Sequence, residues 1–221
     1  MKYKCLILDH DDTVVKTTPN VHFPSFKETL RRYRPHLKDM TLEQFINYCF
    51  DPGFNSLCVD ILKLTKEEKD KQYCEWLDYN KSIIPDCYEG FGEFLKDFVE
   101  SNGRLCIASH SDEQIIRRDY RHHFGLEPDL VFGWGETETH RKPYPYPVEE
   151  AHKRFNIPYE EMLVVDDLKP GYTMAKTAGV KFVYAGWSTS DKVKKVNEFM
   201  RQNADYCFFD IDELKKFVFE K

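Results

Sequence analysis

The sequence predicts an α/β protein with a Rossmann-like three-layer αβα core, a mainly parallel sheet and an inserted all-helical domain. Three observations carry that prediction. Past residue 85, short apolar runs alternate with amphipathic stretches, as βαβ crossovers do. A similar apolar run, Lys4-Cys5-Leu6-Ile7-Leu8, stands alone near the N-terminus. Between the two, residues 15–84 show helical patterning without strand-like alternation, which places the core at 1–14 and 85–221 and the insert at 15–84.

Taken in order, the opening strand ends in Asp9-His10-Asp11-Asp12-Thr13, and Val14 to about Pro24 reads as a loop or short hairpin. Helices follow near Ser25–Arg34, Thr41–Phe50, Asn55–Leu64 and Lys66–Asn80, broken at Pro35 and at Asp51-Pro52-Gly53. Ser82–Asp86 closes the block. Phe91, Phe94, Leu95, Phe98 and Val99 then recur on one helical face, and Asn102-Gly103 stops that helix. Further strands are expected at Arg104–Ala108, Leu130–Phe132, Met162–Val165, Lys181–Tyr184 and Tyr206–Phe208. The helices between and after them fall at Asp112–Phe124, Pro147–Phe155, Pro170–Ala178, Asp191–Gln202 and Ile211–Val218.

Composition narrows the function. A net charge of -6 argues against a protein that neutralises nucleic acid or an anionic membrane. No run approaches the roughly 18 apolar residues of a membrane span, and no signal-peptide core follows Met1, so a cytoplasmic location is expected. The seven cysteines are scattered and never spaced as CxxC, which suits reduced core thiols and suggests neither a disulfide framework nor a zinc site. No obligate protein partner is indicated.

Ligands of an open parallel sheet bind beyond the carboxyl ends of its strands, so the residues ending each strand matter most. The first strand ends on Asp9, the second on Ser109 and a later one on Asp166-Asp167, while Lys142 sits in a loop stiffened by Pro143, Pro145 and Pro147. Three carboxylates at Asp9, Asp11 and Asp12 repel one another unless a cation sits among them. Each residue alone has an ordinary explanation: an Asp or Ser after a strand is often a turn former or helix cap, and a Lys beside prolines is usually a solvated surface charge. Their order and shared strand-end placement favour one site.

These motifs resemble those of the haloacid dehalogenase-like (HAD) hydrolase superfamily, most of whose members are phosphatases. Asp9-His10-Asp11-Asp12-Thr13 matches the first motif, DxDx[TV], and Ser109 at the end of Leu105–Ser109 matches the second. Lys142-Pro143-Tyr144-Pro145 matches the third, and Val164-Val165-Asp166-Asp167 through Gly171 to Ala178-Gly179 the fourth. The helical insert stands where capped members carry a cap domain. Asp12 departs from the pattern, which most often has Gly there; Asp tolerates unusual backbone angles, and a further carboxylate could alter metal affinity.

The resemblance implies a Mg²⁺-dependent phosphomonoester hydrolase acting on a small phosphorylated metabolite. Asp9 is then the nucleophile that forms an aspartyl-phosphate, Asp11 the general acid and base, and Ser109 and Lys142 the groups holding phosphoryl oxygens. Mg²⁺ is held by Asp9, the Asp11 carbonyl and Asp167, with Asp166 beside it. The acid at position 11 favours phosphoryl transfer over dehalogenation, where the leaving halide needs no proton.

Phe54 and Asn55, in the loop Asp51–Ser56, are candidate specificity residues, as is His110 beside Ser109. Arg31, Arg32 and Arg34 read as a solvated helix face, and Trp134 as packing. Two alternatives stay open: a phosphomutase of the β-phosphoglucomutase-like group, and, more remotely, a phospho-accepting receiver-type signalling protein. The second carries its acceptor Asp on a central strand and has no helical insert.

Overall fold

Strands β1 (Cys5–Leu8), β2 (Arg104–Ala108), β3 (Leu130–Phe132), β4 (Met162–Asp166), β5 (Lys181–Ala185) and β6 (Tyr206–Phe208) form one sheet in the order β3-β2-β1-β4-β5-β6. The computed structural model describes residues 1–220, and every described strand pair is parallel. Helices α1 (Phe23–Tyr33), α2 (Leu42–Phe50), α3 (Phe54–Ser56) and α4 (Lys66–Lys81) lie between β1 and β2. Helices α5 (Phe91–Glu100), α6 (Glu113–Phe124), α7 (Tyr146–Phe155), α8 (Lys169–Ala178), α9 (Lys194–Asn203) and α10 (Ile211–Phe219) belong to the α/β core.

Alternation along β1 sets the three layers, because successive side chains point to opposite faces. Leu6 and Leu8 join Phe94 and Phe98 of α5, Ile116 and Tyr120 of α6, and Leu214 and Val218 of α10. Cys5 and Ile7 join Val148 of α7, Met174 of α8 and Val196 and Met200 of α9 on the other face. With both faces covered, the strands read as continuous apolar runs.

The insert has a small core of its own around Phe26, Leu30, Phe45, Leu57 and Leu62. It also leans on the larger domain through Phe50 of α2, whose ring meets Phe199 of α9 edge-on at 5.4 Å.

Three segments differ from expectation. Thr18–His22, expected as loop or hairpin, is a π-helical turn that runs into α1; the Thr17 carbonyl accepts from the N–H groups of Val21 and His22. The expected helix Asn55–Leu64 is α3 followed by a π-helical turn at Leu57–Ile61, wound to bury Leu57 and Cys58. The helix expected from Asp191 begins at Lys194, after a 3-10 turn over Thr189–Lys192.

The chain leaves and rejoins the core at one place. Val15 bridges to Cys87, the Lys16 N–H donates to the Asp86 carbonyl, and the Tyr88 N–H donates to the Val14 carbonyl. Helix α6 holds the returning segment, with Arg118 donating to the carbonyls of Asn80 and Ile83 and His123 Nε2 to that of Pro85. No described helix is long and apolar enough to cross a membrane.

Candidate active site

Strand register brings the first and fourth motifs together. Strand order reverses beside β1, which has β2 on one side and β4 on the other, so a crevice opens beyond their carboxyl ends. Leu8 is paired with Val165, and the Asp9 N–H donates to the Val165 carbonyl at 2.9 Å, which sets Asp9 next to Asp166. The Lys142 ammonium lies between them, 2.5 Å from Asp9 Oδ1 and 2.6 Å from Asp166 Oδ2. Thr13 Oγ1 donates to Asp9 Oδ2 at 3.3 Å, and the Leu168 N–H donates to Asp166 Oδ1 at 2.8 Å. Gly171 of α8 approaches so closely that a Cβ there would lie 2.1 Å from Asp166 Oδ2.

Asp9, Asp166 and Asp167 are all nearly inaccessible, and carboxylate oxygens of the three lie within 4.8 Å of one another. Burial pushes the Asp9 carboxyl up to about 7, with Lys142 opposing and the charges of Asp166 and Asp11 adding to it. Burial likewise raises Asp166 and, with its acidic neighbours, drives Asp167 well above the usual carboxylate range. Burial works against the Lys142 ammonium, yet the flanking Asp166 and Asp9 raise its pKa. One lysine for three clustered acids leaves charge that a cation relieves. The donors are hard carboxylate oxygens, the type that suits Mg²⁺.

Asp11 sits in a second cluster. Ser109 Oγ donates to its Oδ2 at 3.1 Å and Ser111 Oγ at 2.6 Å, while His22 Nε2 lies 2.8 Å from its Oδ1, close but poorly aligned as a hydrogen bond. Burial raises the Asp11 carboxyl, but His22, His10 and Ser111 outweigh it and hold the group well below its ordinary value.

The Trp76 indole N–H donates to His22 Nδ1 at 3.0 Å, so the proton of a neutral His22 lies on Nε2, facing Asp11. Burial pulls His22 down, and the carboxylates of Asp11, Asp12 and Asp9 draw it up overall.

His22, Ser111 and Trp76 were not anticipated from the sequence. His22 lies in a stretch without period, and its partner Trp76 is distant along the chain. Only Ser111 had a legible signal, two residues beyond the strand-end Ser109.

Asp12 turns out to serve the backbone. Its φ is 57°, in the left-handed region, and its Oδ1 accepts the Thr18 N–H at 3.3 Å. It therefore makes the turn that the usual Gly would make and ties down the π-helical turn bearing His22; its carboxylate is outside the Asp9-Asp166-Asp167 group. Burial pushes Asp12 up to about 6, with its Thr18 contact opposing.

His110 Nε2 donates to the Lys142 carbonyl at 2.9 Å, and burial together with the Lys142 charge pushes its pKa down to about 4. His110 thus anchors the loop that delivers Lys142.

A cavity of about 290 Å³ lies over these groups, between core and insert. Phe54, Asn55 and His110 all line it. Trp134, expected only as packing, lines it too, with the Arg141 guanidinium stacked 4.0 Å from its ring centroid. Arg31, Arg32 and Arg34 stay outside, each paired with a glutamate: Glu28, Glu75 and Glu68 respectively.

Comparison with known proteins agrees with this architecture. Residues 6–185 match the model of the haloacid dehalogenase-like hydrolase family. The chain belongs to that family. Pyrophosphatase PpaX of Oceanobacillus iheyensis is 22% identical over 97% of this chain and 96% of its own length. A Caldanaerobacter subterraneus subsp. tengcongensis protein bearing the same name provisionally is 25% identical over 99% and 96%. Among solved structures, a predicted phosphoglycolate phosphatase from Haemophilus somnus superposes with a TM-score of 0.76, at 18% identity over 99% of both chains. CbbY from Rhodobacter sphaeroides, solved with phosphate, gives 0.72 at 16% identity over 96% of each. As a haloacid dehalogenase-like hydrolase, the chain has its insert after β1 and all four motifs along one edge of the sheet.

Proposed function

We propose that this hydrolase is a Mg²⁺-dependent phosphomonoesterase working through an aspartyl-phosphate on Asp9, with residues 15–84 as a cap over the core of 1–14 and 85–221. The observation that carries the reading is Lys142 held between Asp9 and Asp166, with Asp11 and Ser111 facing the same cavity and Ser109 bonded to Asp11 from behind. An anionic nucleophile must approach an anionic phosphoryl group, and a buried ammonium at the nucleophile lowers that barrier.

In the first step Asp9 bonds to phosphorus as the ester P–O bond breaks, and Asp11 donates a proton to the departing oxygen. In the second, water attacks the phosphorus as the bond from Asp9 to phosphorus breaks, Asp11 takes the proton of the water, and phosphate leaves with the Asp9 carboxylate restored. The donors around Asp11 stabilise its ionised form, which is the base of the second step. Acting as acid requires it to leave those donors, and that frees Ser109 to turn toward a phosphoryl oxygen.

Asp9, Asp167 and the Asp11 carbonyl are assigned to the metal. Asp166 is committed to Lys142 and Leu168, whereas the Asp167 carboxylate accepts no hydrogen bond among the described residues, which supports Asp167 over Asp166 as direct ligand. When bound, Mg²⁺ offsets the phosphoryl charge and lowers the cost of crowding these acids. A cytoplasmic location fits the seven unpaired cysteines.

A screen of phosphate release from small phosphate esters, with Mg²⁺ and with EDTA, tests the reading. Release should require the metal and fall by at least about a thousandfold in Asp9→Asn. Activity surviving that substitution would sink the mechanism.

A further inference from the structure

We infer that the substrate is a monophosphate ester whose leaving group is uncharged and carries an apolar or aromatic body of about one ring, and that esters bearing a second anion are refused. The inference rests on the phosphatase reading above and concerns the half of the cavity which that reading does not use.

Charge is the first reason. Asp9, Asp11, Asp12, Asp70, Asp166 and Asp167 line the cavity against Lys69, Lys142 and His22. Lys142 is already engaged by Asp9 and Asp166. One divalent cation and one phosphoryl group bring opposite charges that largely cancel, so the walls remain anionic. No arginine lines the cavity among the described residues.

At the helical end Lys69 Nζ lies 3.3 Å from Asn55 Oδ1, and the next residue is Asp70, itself paired with Lys66 at 2.7 Å. A carboxylate or second phosphate placed there loses its water, and the one ammonium lining that end, Lys69, is half-exposed and compensates little of that loss.

The second reason is the character of the wall. Phe26, Phe45 and Phe54 come from α1, α2 and α3 with ring centroids 4.9 to 6.3 Å apart, and Tyr73 and Trp76 come from α4. Trp76 lies between Tyr73 and His22, 5.9 Å from each, with ring planes within 26°. The polar tips of this wall are occupied: Tyr73 donates its hydroxyl to Asp112 Oδ2 at 2.9 Å, and Trp76 donates to His22. What these aromatic residues turn toward the cavity is ring surface, beside the neutral amides of Asn55 and Gln72. Such a surface gains free energy by removing an apolar group from water and gains nothing from an ion. The volume of about 290 Å³ is at the lower end for small-molecule sites, which limits the leaving group to about one ring.

The experiment is a set of specificity constants for the purified protein with saturating MgCl₂, using phenyl phosphate, phosphoglycolate, inorganic pyrophosphate and fructose 1,6-bisphosphate, with Asp9→Asn as the control. Phenyl phosphate should exceed each of the other three by on the order of ten- to a hundredfold in kcat/KM. Phe54→Ala should remove most of that preference, chiefly through KM, and Phe54→Leu should keep part of it.

Asp9-dependent release that is equal or faster with phosphoglycolate, pyrophosphate or the bisphosphate would overturn the inference and leave the phosphatase reading intact. A preference unmoved in both Phe54 variants would overturn the assignment of the aromatic wall. No Asp9-dependent release from any of the four would overturn the phosphatase reading itself, and the inference with it.

Discussion

Gly171 shows what a single hydrogen does at this site. The side chain of Asp166 occupies the space a methyl group would take, so Gly171→Ala must push Asp166 off Lys142. We expect about a hundredfold loss of kcat, as for a misplacement on the order of 1 Å, and a destabilisation of about 1–3 kcal/mol from overpacking; phosphate release and urea unfolding measure the two. Asp12 shows the reverse, a residue that looked chemical and is conformational. Asp12→Gly relieves the positive φ but loses the Thr18 contact, so stability should stay within about 1 kcal/mol of the parent, while Asp12→Ala loses that contact and keeps the strained φ, and should cost about 2 kcal/mol in urea unfolding.

Strand-end residues were legible because parallel strands all finish at one edge, and Asp9, Ser109 and Asp166 needed only their order to be placed there. His22 was not legible. Its partners Asp11 and Trp76 are set by how the insert folds back, and a lone histidine in an aperiodic stretch carries no mark of that.

Elements are held by polar ties as well as by burial. Asp205, just before β6, accepts from Lys176 of α8, Lys181 of β5 and the Phe182 N–H. Burial raises its carboxyl, and these donors outweigh it and hold it below the ordinary value. A depressed folded-state pKa means that the contribution is present above the unfolded value of about 4 and disappears as the pH falls through the lower folded value. Asp205→Asn should therefore cost about 1–2 kcal/mol at neutral pH, and the gap to the parent in unfolding free energy should narrow steadily below pH about 4. All six strands and the core helices were readable because apolar period and turn residues agree along them. The π-helical turns at Thr18–His22 and Leu57–Ile61 were not, since their winding answers to tertiary contacts: the Asp12 cap in one, the burial of Leu57 and Cys58 in the other.

Across the whole molecule, insert and core meet around the cavity through few polar ties, and Tyr73 to Asp112 is one of them. Tyr73→Phe keeps the ring and removes that tie, favouring a more open arrangement. We expect KM for the preferred ester to rise about fivefold with kcat changed less than twofold, read from steady-state phosphate release. The aromatic wall could not be foreseen at this scale, because its rings come from α1, α2, α3 and α4 and look in sequence like any helical core. The joined linkers have one more consequence. Since Val15 and Cys87 are bridged neighbours, the sheet experiences everything between them as a side loop closed at its base, and the ends it must bring together are the same whether that loop is long or short. Recombination at this junction can therefore exchange the whole insert, and with it the aromatic wall to which we assign the choice of leaving group, while the acids at the strand ends are inherited unchanged.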